Sequence, residues 1–367
     1  MAVKASGSPL SFSEIETEFG QNSDRDLGEY RVSQTVGGLS NQPLDTGIPQ
    51  SGEIKFSDFY SKRLNVVIDY HSGSTENRPT VAKTRYDAAA GTGTHTVIGG
   101  FRTRPANSGG TKTRIHINKT IGSSNSNVNN CAVRTGTGWN TGTVLTVEIG
   151  SSGALYGAGG NGGKGGTSDS EKDGDNGGTG SSALGIQYSG TIITNNGSII
   201  AGGGGGGGGG YRKVEREENF GGPVRAAAGG GGGGGQGLPG GSAGASGSGA
   251  TAGTKTAGGN GAQGNTASTS GDTFVYGGGG GGGAFDGIGG EGGGGNSNDG
   301  TNGTSSGGGN GAAGQHAGSI EGENNVQGSG GTGGGNGAAI RRSSSSIEIT
   351  YAVSGTINGD ISAIGVS

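Results

Sequence analysis

Asn196-Gly197-Ser198-Ile199-Ile200-Ala201 leads into nine consecutive glycines, 202–210, and these into Tyr211-Arg212-Lys213-Val214-Glu215-Arg216-Glu217-Glu218-Asn219-Phe220. How the glycine run is read decides the fold. Nine glycines have no side chains to bury, so only their backbone groups can hold them. Two readings fit. One is a flexible spacer, the usual fate of glycine-rich tracts. The other is a bundle of polyglycine II helices, with three residues per turn and no internal hydrogen bonds, whose N–H and C=O groups bond sideways to neighbouring glycine helices. A Cβ at an inward position would force such backbones apart. Ordering glycine costs about 1–2 kcal/mol per residue, so only a cooperative lattice of several helices can form. Further runs at 229–235, 277–283 and 292–295 are separated by inserts carrying aromatics and charges, which a spacer does not need. A collagen-like Gly-X-Y register is missing, and the whole chain has only 7 Pro.

The composition agrees. Glycine supplies 97 of 367 residues and hydrophobic residues only 27%, too few for a side-chain core of that size. A formal net charge of -4 supplies neither the repulsion typical of disordered chains nor attraction to nucleic acid or anionic lipid, and neither partner is expected. The longest aliphatic run, Val66 to Ile68, is far too short to span a bilayer, and Met1 to Ser8 has no secretory apolar stretch, so membrane insertion is not expected. Cys131 is the single cysteine and reads as a buried thiol.

Residues 1–63 carry helix punctuation. Leu10-Ser11-Phe12-Ser13-Glu14 is echoed by Ile54-Lys55-Phe56-Ser57-Asp58, each with a serine as candidate N-cap and an acid in the first turn. Ser13 and Glu16 have capping-box spacing, and Phe12, Ile15 and Phe19 fall on one face. With Phe56, Phe59 and Tyr60 they are candidates for attachment to a partner subunit, a self-packed helical cap being the alternative. Residues 64–150 hold β-branched runs at sandwich-like intervals. Alternation in Arg114-Ile115-His116-Ile117-Asn118 and in Val144 to Ile149 reads as half-buried antiparallel strands, so a small β-sandwich is expected there. Residues 151–339 form the glycine zone with inserted loops, and 340–367 a closing strand pair. The fold class expected is mainly β plus polyglycine II, with a short helical N-terminal module.

Phe12-Ser13-Glu14-Ile15-Glu16-Thr17-Glu18-Phe19-Gly20, with Gly47-Ile48-Pro49-Gln50-Ser51-Gly52-Glu53-Ile54-Lys55-Phe56-Ser57-Asp58-Phe59-Tyr60, resembles an N-terminal module of tailed-phage structural proteins. Thr96 to Phe101, Asn118 to Ser123 and Arg134 to Trp139 resemble the β-region of glycine-rich tail-fibre proteins in myoviruses of marine cyanobacteria. Gly153 to Gly160, Asn196 to Gly202 and the ending Ile347 to Tyr351 with Gly355 to Gly359 are similar to glycine-rich tips of phage fibres. Several such tips fold as polyglycine II sandwiches displaying variable receptor-contacting loops. The resemblance implies a tail-fibre or baseplate-associated adhesin of the virion, made in the host cytoplasm, whose partners are other virion tail or baseplate subunits and a host surface glycan or outer-membrane protein.

Catalytic chemistry is not indicated. A phosphate loop around Lys164 fails because Ala158 stands at the first glycine and Gly165 at the magnesium-holding hydroxyl position. His71, His95, His116 and His316 are dispersed. Asp169, Glu171, Asp173 and Asp175 lack the bidentate acid of a calcium loop, Leu184 standing in its place. No enzyme, metal or cofactor is expected. The informative residues lie between the glycine runs. Tyr211, Arg212, Lys213, Arg216 and Phe220 form one candidate receptor-binding loop, and Phe274, Tyr276, Phe285 and Asp286 the others, since binding surfaces concentrate aromatics and Arg. Local packing at bundle ends would also account for these aromatics. A shaft or decoration protein without receptor contact is the rival function, and an ice-binding protein a third. No heptad decides for or against a homotrimer.

Overall fold

The computed structural model describes residues 3–19, 26–30, 48–49, 51–62, 65–70, 80–84, 96–98, 112–124, 127–216, 224–246, 249–255, 257–268, 274–276, 293, 308, 315–317, 323–353 and 355–366. The fold is mostly β with a small helical N-terminus.

Its centre is a three-sided prism of parallel strands wound in successive rungs. The first rung has β1 (Asn65–Tyr70) and β2 (Thr80–Val81), with β3 (Thr96–Ile98) pairing antiparallel onto β1. The second rung has β4 (Lys112–Ile117), β5 (Thr120–Gly122) and β6 (Cys131–Arg134). The third has β7 (Val144–Ile149), β8 (Ala154–Tyr156) and β9 (Ser182–Ile186). The fourth opens with β10 (Thr191–Asn195) and β11 (Ser198–Ile200). Six short strands follow before it closes: β12 (Arg212–Arg216), β13 (Val224–Ala227), β14 (Thr266–Ser268), β15 (Phe274–Tyr276), β16 (Gln315–Ala317) and β17 (Glu323–Gln327). β18 (Ile340–Arg342) then completes the fourth rung, and β19 (Ile349–Val353), β20 (Thr356–Asn358) and β21 (Ala363–Ile364) make the fifth. The faces are the sheets β3-β1-β4-β7-β10-β19, β5-β8-β11-β20 and β2-β6-β9-β18-β21.

Register stacks like on like inside the prism. Ile68, Ile115, Val147, Ile193 and Tyr351 are consecutive partners on one face, and Ile121, Leu155, Ile199 and Ile357 on the next. Val133, Leu184 and Ile340 line up on the third. All of these side chains but Tyr351 form one apolar cluster, fully buried through the middle rungs. Alternation therefore places strands correctly but not their partners: the expected antiparallel sandwich is a parallel prism. One-face burial gives the same alternating pattern in both, so the pattern carries no information on strand direction. Residues 340–367 hold four strands that belong to all three faces; β18 and β21 pair directly and in parallel, while β19 and β20 pair with β10 and β11.

The N-terminal helix α1 (Phe12–Phe19) is capped by Ser11, not by Ser13. The Ser11 hydroxyl accepts from Glu14 N, and the Glu14 carboxylate accepts from Ser11 N at 2.7 Å. The capping box thus sits two residues earlier than Ser13 and Glu16 suggest, because the Glu14 carboxylate is also held by Lys4 at 2.7 Å. Those contacts pull the Glu14 carboxyl down to about 2. The echo at Phe56–Phe59 is a 3₁₀ turn whose N–H at Lys55 donates to Asp58, so Ser57 caps nothing there.

Candidate functional site: the glycine stack and its loop-bearing end

The third and fourth rungs each swell at the same corner of the prism. Residues 157–181 separate β8 from β9, and 201–339 separate β11 from β18. The extended glycine segments of both insertions lie side by side and bond at every third residue. Gly160, Gly163 and Gly166 donate to the carbonyls of Gly203, Gly206 and Gly209 at 2.8–2.9 Å. Gly202, Gly205 and Gly208 donate to Ser181, Gly178 and Asp175, while Gly203, Gly206 and Gly209 donate to Gln236, Gly233 and Gly230. In turn Gly331, Gly334 and Gly337 donate to Gly208, Gly205 and Gly202.

The 202–210 run is surrounded by segments 157–166, 173–181, 228–237 and 328–337. That is why it has no interruption: a Cβ on Gly205 or Gly208 would land on the backbone carbonyl of Asn161 or Lys164. Outer segments tolerate a side chain at every third position, and there a polar one does backbone work. Asp173 and Asn176 accept from the backbone N–H groups of Ser329 and Thr332, each at 2.8 Å. Asn161 accepts from Ser242 N at 3.0 Å and Asn336 from Gly204 N at 2.9 Å. The signal for this was the Gly-Gly-x period from Gly159 to Thr167, which spacing between glycine runs alone does not reveal.

At the end away from the prism the segments open into loops. Turn 167–172 folds back with Thr167 N donating to Glu171 O, and the Lys164 ammonium meets the Glu171 carboxylate at 2.8 Å. This pairing lowers the Glu171 pKa and raises that of Lys164. Lys164, Ser170, Glu171, Lys172, Asp173 and Asp175 border a polar cleft of about 310 Å³. The acidic cluster is thus engaged in ion pairs and backbone bonds, and Lys213 joins it to β12 through Asp169 at 2.7 Å.

Tyr211 and Arg212 are buried, at 6% and 4% exposure, where the central segment ends. From there β12 pairs antiparallel with β13 and β17, and β15 with β14 and β16. The two small sheets touch through β13 against β14 and β15. Candidate loops some sixty residues apart in sequence are thereby gathered at one end of the stack. Arg216, Phe274 and Tyr276 sit on these strands by their backbones. Phe220, Phe285 and Asp286 lie outside the described residues.

The six N-terminal candidates divide differently. Ile15, Phe19 and Phe59 have no exposed surface; Phe19 and Phe59 pack on each other and on Tyr30 with ring centroids 5.8–6.3 Å apart. Phe12 is half-buried against Tyr30 and Phe56, and Tyr60 donates from its hydroxyl to Ser8 O. Phe56 is exposed at 40%. Their spacing therefore serves an internal cap whose apolar side chains are continuous with the prism core.

Residues 100–273 match the family model described as phage tail fibre adhesin Gp38. Among curated proteins nothing matches the chain. A crystal structure of the gp37-gp38 adhesin tip complex of the bacteriophage S16 long tail fibre aligns at 16% identity and a TM-score of 0.38, covering 98% of this chain and 99% of that one.

Proposed function

We propose that the glycine segments form a polyglycine II stack that holds receptor-contacting loops away from the β-prism, and that these loops bind a host surface glycan or outer-membrane protein. One observation carries the reading: the every-third-residue hydrogen bonds around Gly202–Gly210 run without a break from the prism to the strands that bear the candidate loops. At about 3.1 Å per residue the nine-residue run spans roughly 28 Å. Such a stack is stiff, because each segment is bonded to several others, so loops at its end pay little ordering cost on binding. Aromatic and arginine-rich strands suit a sugar or protein surface, and weak single contacts multiply when many fibres act together. The chain acts by binding, without catalysis, as a part of the virion tail together with other fibre subunits.

Replacing 211–220 and 272–288 by Gly-Ser linkers, and measuring competition of the purified chain for adsorption sites on host cells, tests this. The expected result is loss of competition with amide protection retained across 202–210. Unchanged competition favours a shaft or decoration role.

A further inference from the structure

The geometry of the stack forces a reactive pair onto its rim. Side chains fit at one position in three, and the residue that follows must lie against a neighbouring backbone. After Asn161 a Cβ on Gly162 would strike the Gly232 carbonyl, and after Asn176 one on Gly177 would strike the Gly205 carbonyl, so both positions require glycine. Wherever the rim residue is asparagine, the stack therefore demands Asn-Gly. In that pair the main chain cyclises most readily, because the glycine nitrogen has no Cβ beside it to hinder attack on the asparagine Cγ.

The same contacts restrain both groups that would react. Gly162 donates its N–H to the Ser242 carbonyl at 2.8 Å, while the Ser242 N–H donates to Asn161 Oδ1 at 3.0 Å. One residue thus engages the nucleophile and the side chain it would attack. Thr332 does this for the next pair: its carbonyl accepts from Gly177 N at 2.8 Å, and its N–H and hydroxyl donate to Asn176 Oδ1 at 2.8 and 2.9 Å. Both asparagines are exposed, so water has access to them.

We propose that Asn161 and Asn176 are deamidation sites which the closed stack guards, and that opening of a rim segment marks it irreversibly. At Asn176, solvent base takes the freed Gly177 N–H proton, the nitrogen bonds to Cγ, and the Cγ–Nδ2 bond breaks with loss of ammonia. Water then opens the cyclic imide at one carbonyl to give aspartate, or at the other to give isoaspartate. Aspartate keeps an acceptor, as Asp173 does for Ser329 N at 2.8 Å. Isoaspartate carries the main chain through its side-chain carbon and is one atom longer. Gly174 can then stay on the Ser329 carbonyl only if Gly177 and Gly180 leave those of Thr332 and Gly335. The inference rests on the hydrogen bonds of the stack and is independent of what the loops bind.

The test follows isoaspartate at both positions by peptide mass spectrometry in the full-length protein kept at mildly alkaline pH, folded or in urea. Folded wild type should convert at least about tenfold more slowly than the unfolded chain, since it reacts only while a segment is open. Proline suits the backbone of a three-residue helix and lacks the N–H, so Thr332→Pro should accelerate Asn176 and not Asn161, and Ser242→Pro the reverse. In a partly converted sample, Gly177 and Gly180 should exchange their amides at least about tenfold faster in molecules with isoaspartate at 176 than in those with asparagine. Equal conversion of folded and unfolded wild type overturns the proposal. So does a proline variant that retains amide protection across 202–210 yet converts no faster, or unchanged exchange in the isoaspartyl molecules. Where a proline variant loses that protection, the wild-type comparison decides.

Discussion

The Asn176 side-chain oxygen accepts from both the backbone N–H and the hydroxyl of Thr332, at 2.8 and 2.9 Å, across 156 residues of sequence. Three residues earlier Asp173 makes the matching bond to Ser329. Side chains at the rim thus take up donors that no glycine segment among the described residues pairs. Asn176→Ala should cost up to about 1 kcal/mol by removing an exposed hydrogen bond, while Asn176→Asp, which keeps the acceptor, should cost less. Chemical denaturation of the two variants checks the ranking.

Gly334 and Gly335 are neighbours with opposite surroundings. A Cβ on Gly334 would strike the Gly178 carbonyl, whereas one on Gly335 would meet nothing within 4 Å. Gly334→Ala is expected to destabilise by at least about 1–3 kcal/mol through overpacking, and Gly335→Ala to be neutral or slightly stabilising. Thermal midpoints of the pair decide whether glycine is required by packing or is merely abundant.

These two cases also mark how far the sequence was legible. The uninterrupted run at 202–210 pointed to packed glycine backbones, and its neighbours are where that argument needs them. Val144 to Ile149 was recognisable as a half-buried strand, yet nothing in it distinguishes Lys112–Ile117 as a parallel partner from an antiparallel one. Pairing across long insertions, such as Leu184 with Ile340, leaves no local trace. Phe19 and Phe59 were singled out as candidates for attachment to a partner subunit, and both are buried in this chain's own apolar cluster; a sequence does not say whether an anchor is set in its own chain or in another.

For the N-terminal cap the expectation follows from burial. Phe19→Ala should cost about 3–5 kcal/mol of cap stability, and Phe56→Ala well under 1 kcal/mol. Amide exchange in α1 would register the first and not the second.

The Glu14 carboxyl, drawn down to about 2 by Lys4 and Ser11, gives the cap an acid-sensitive component. Because the folded-state value lies below the unfolded one, this stabilisation is complete above the ordinary carboxylate range and is lost as pH falls toward 2. Thermal midpoints of wild type and Glu14→Gln should differ at neutral pH and converge near pH 2.

Burial pushes the Cys131 thiol up to about 12, against the opposing pull of Arg341 and Arg134. Alkylation by iodoacetamide at pH 8 should therefore be at least about a hundredfold slower than for a free thiol, and should accelerate only when the prism opens.

The hydrogen bonds of the stack repeat every third residue on all its segments. Its height is consequently quantised. Insertions or deletions that preserve every bond must come in whole triplets, in the outgoing and returning segments together, and each triplet moves the far end by one repeat. A change of nine nucleotides in each coding segment therefore lengthens or shortens the stack by one repeat, without touching the strands that hold the far end.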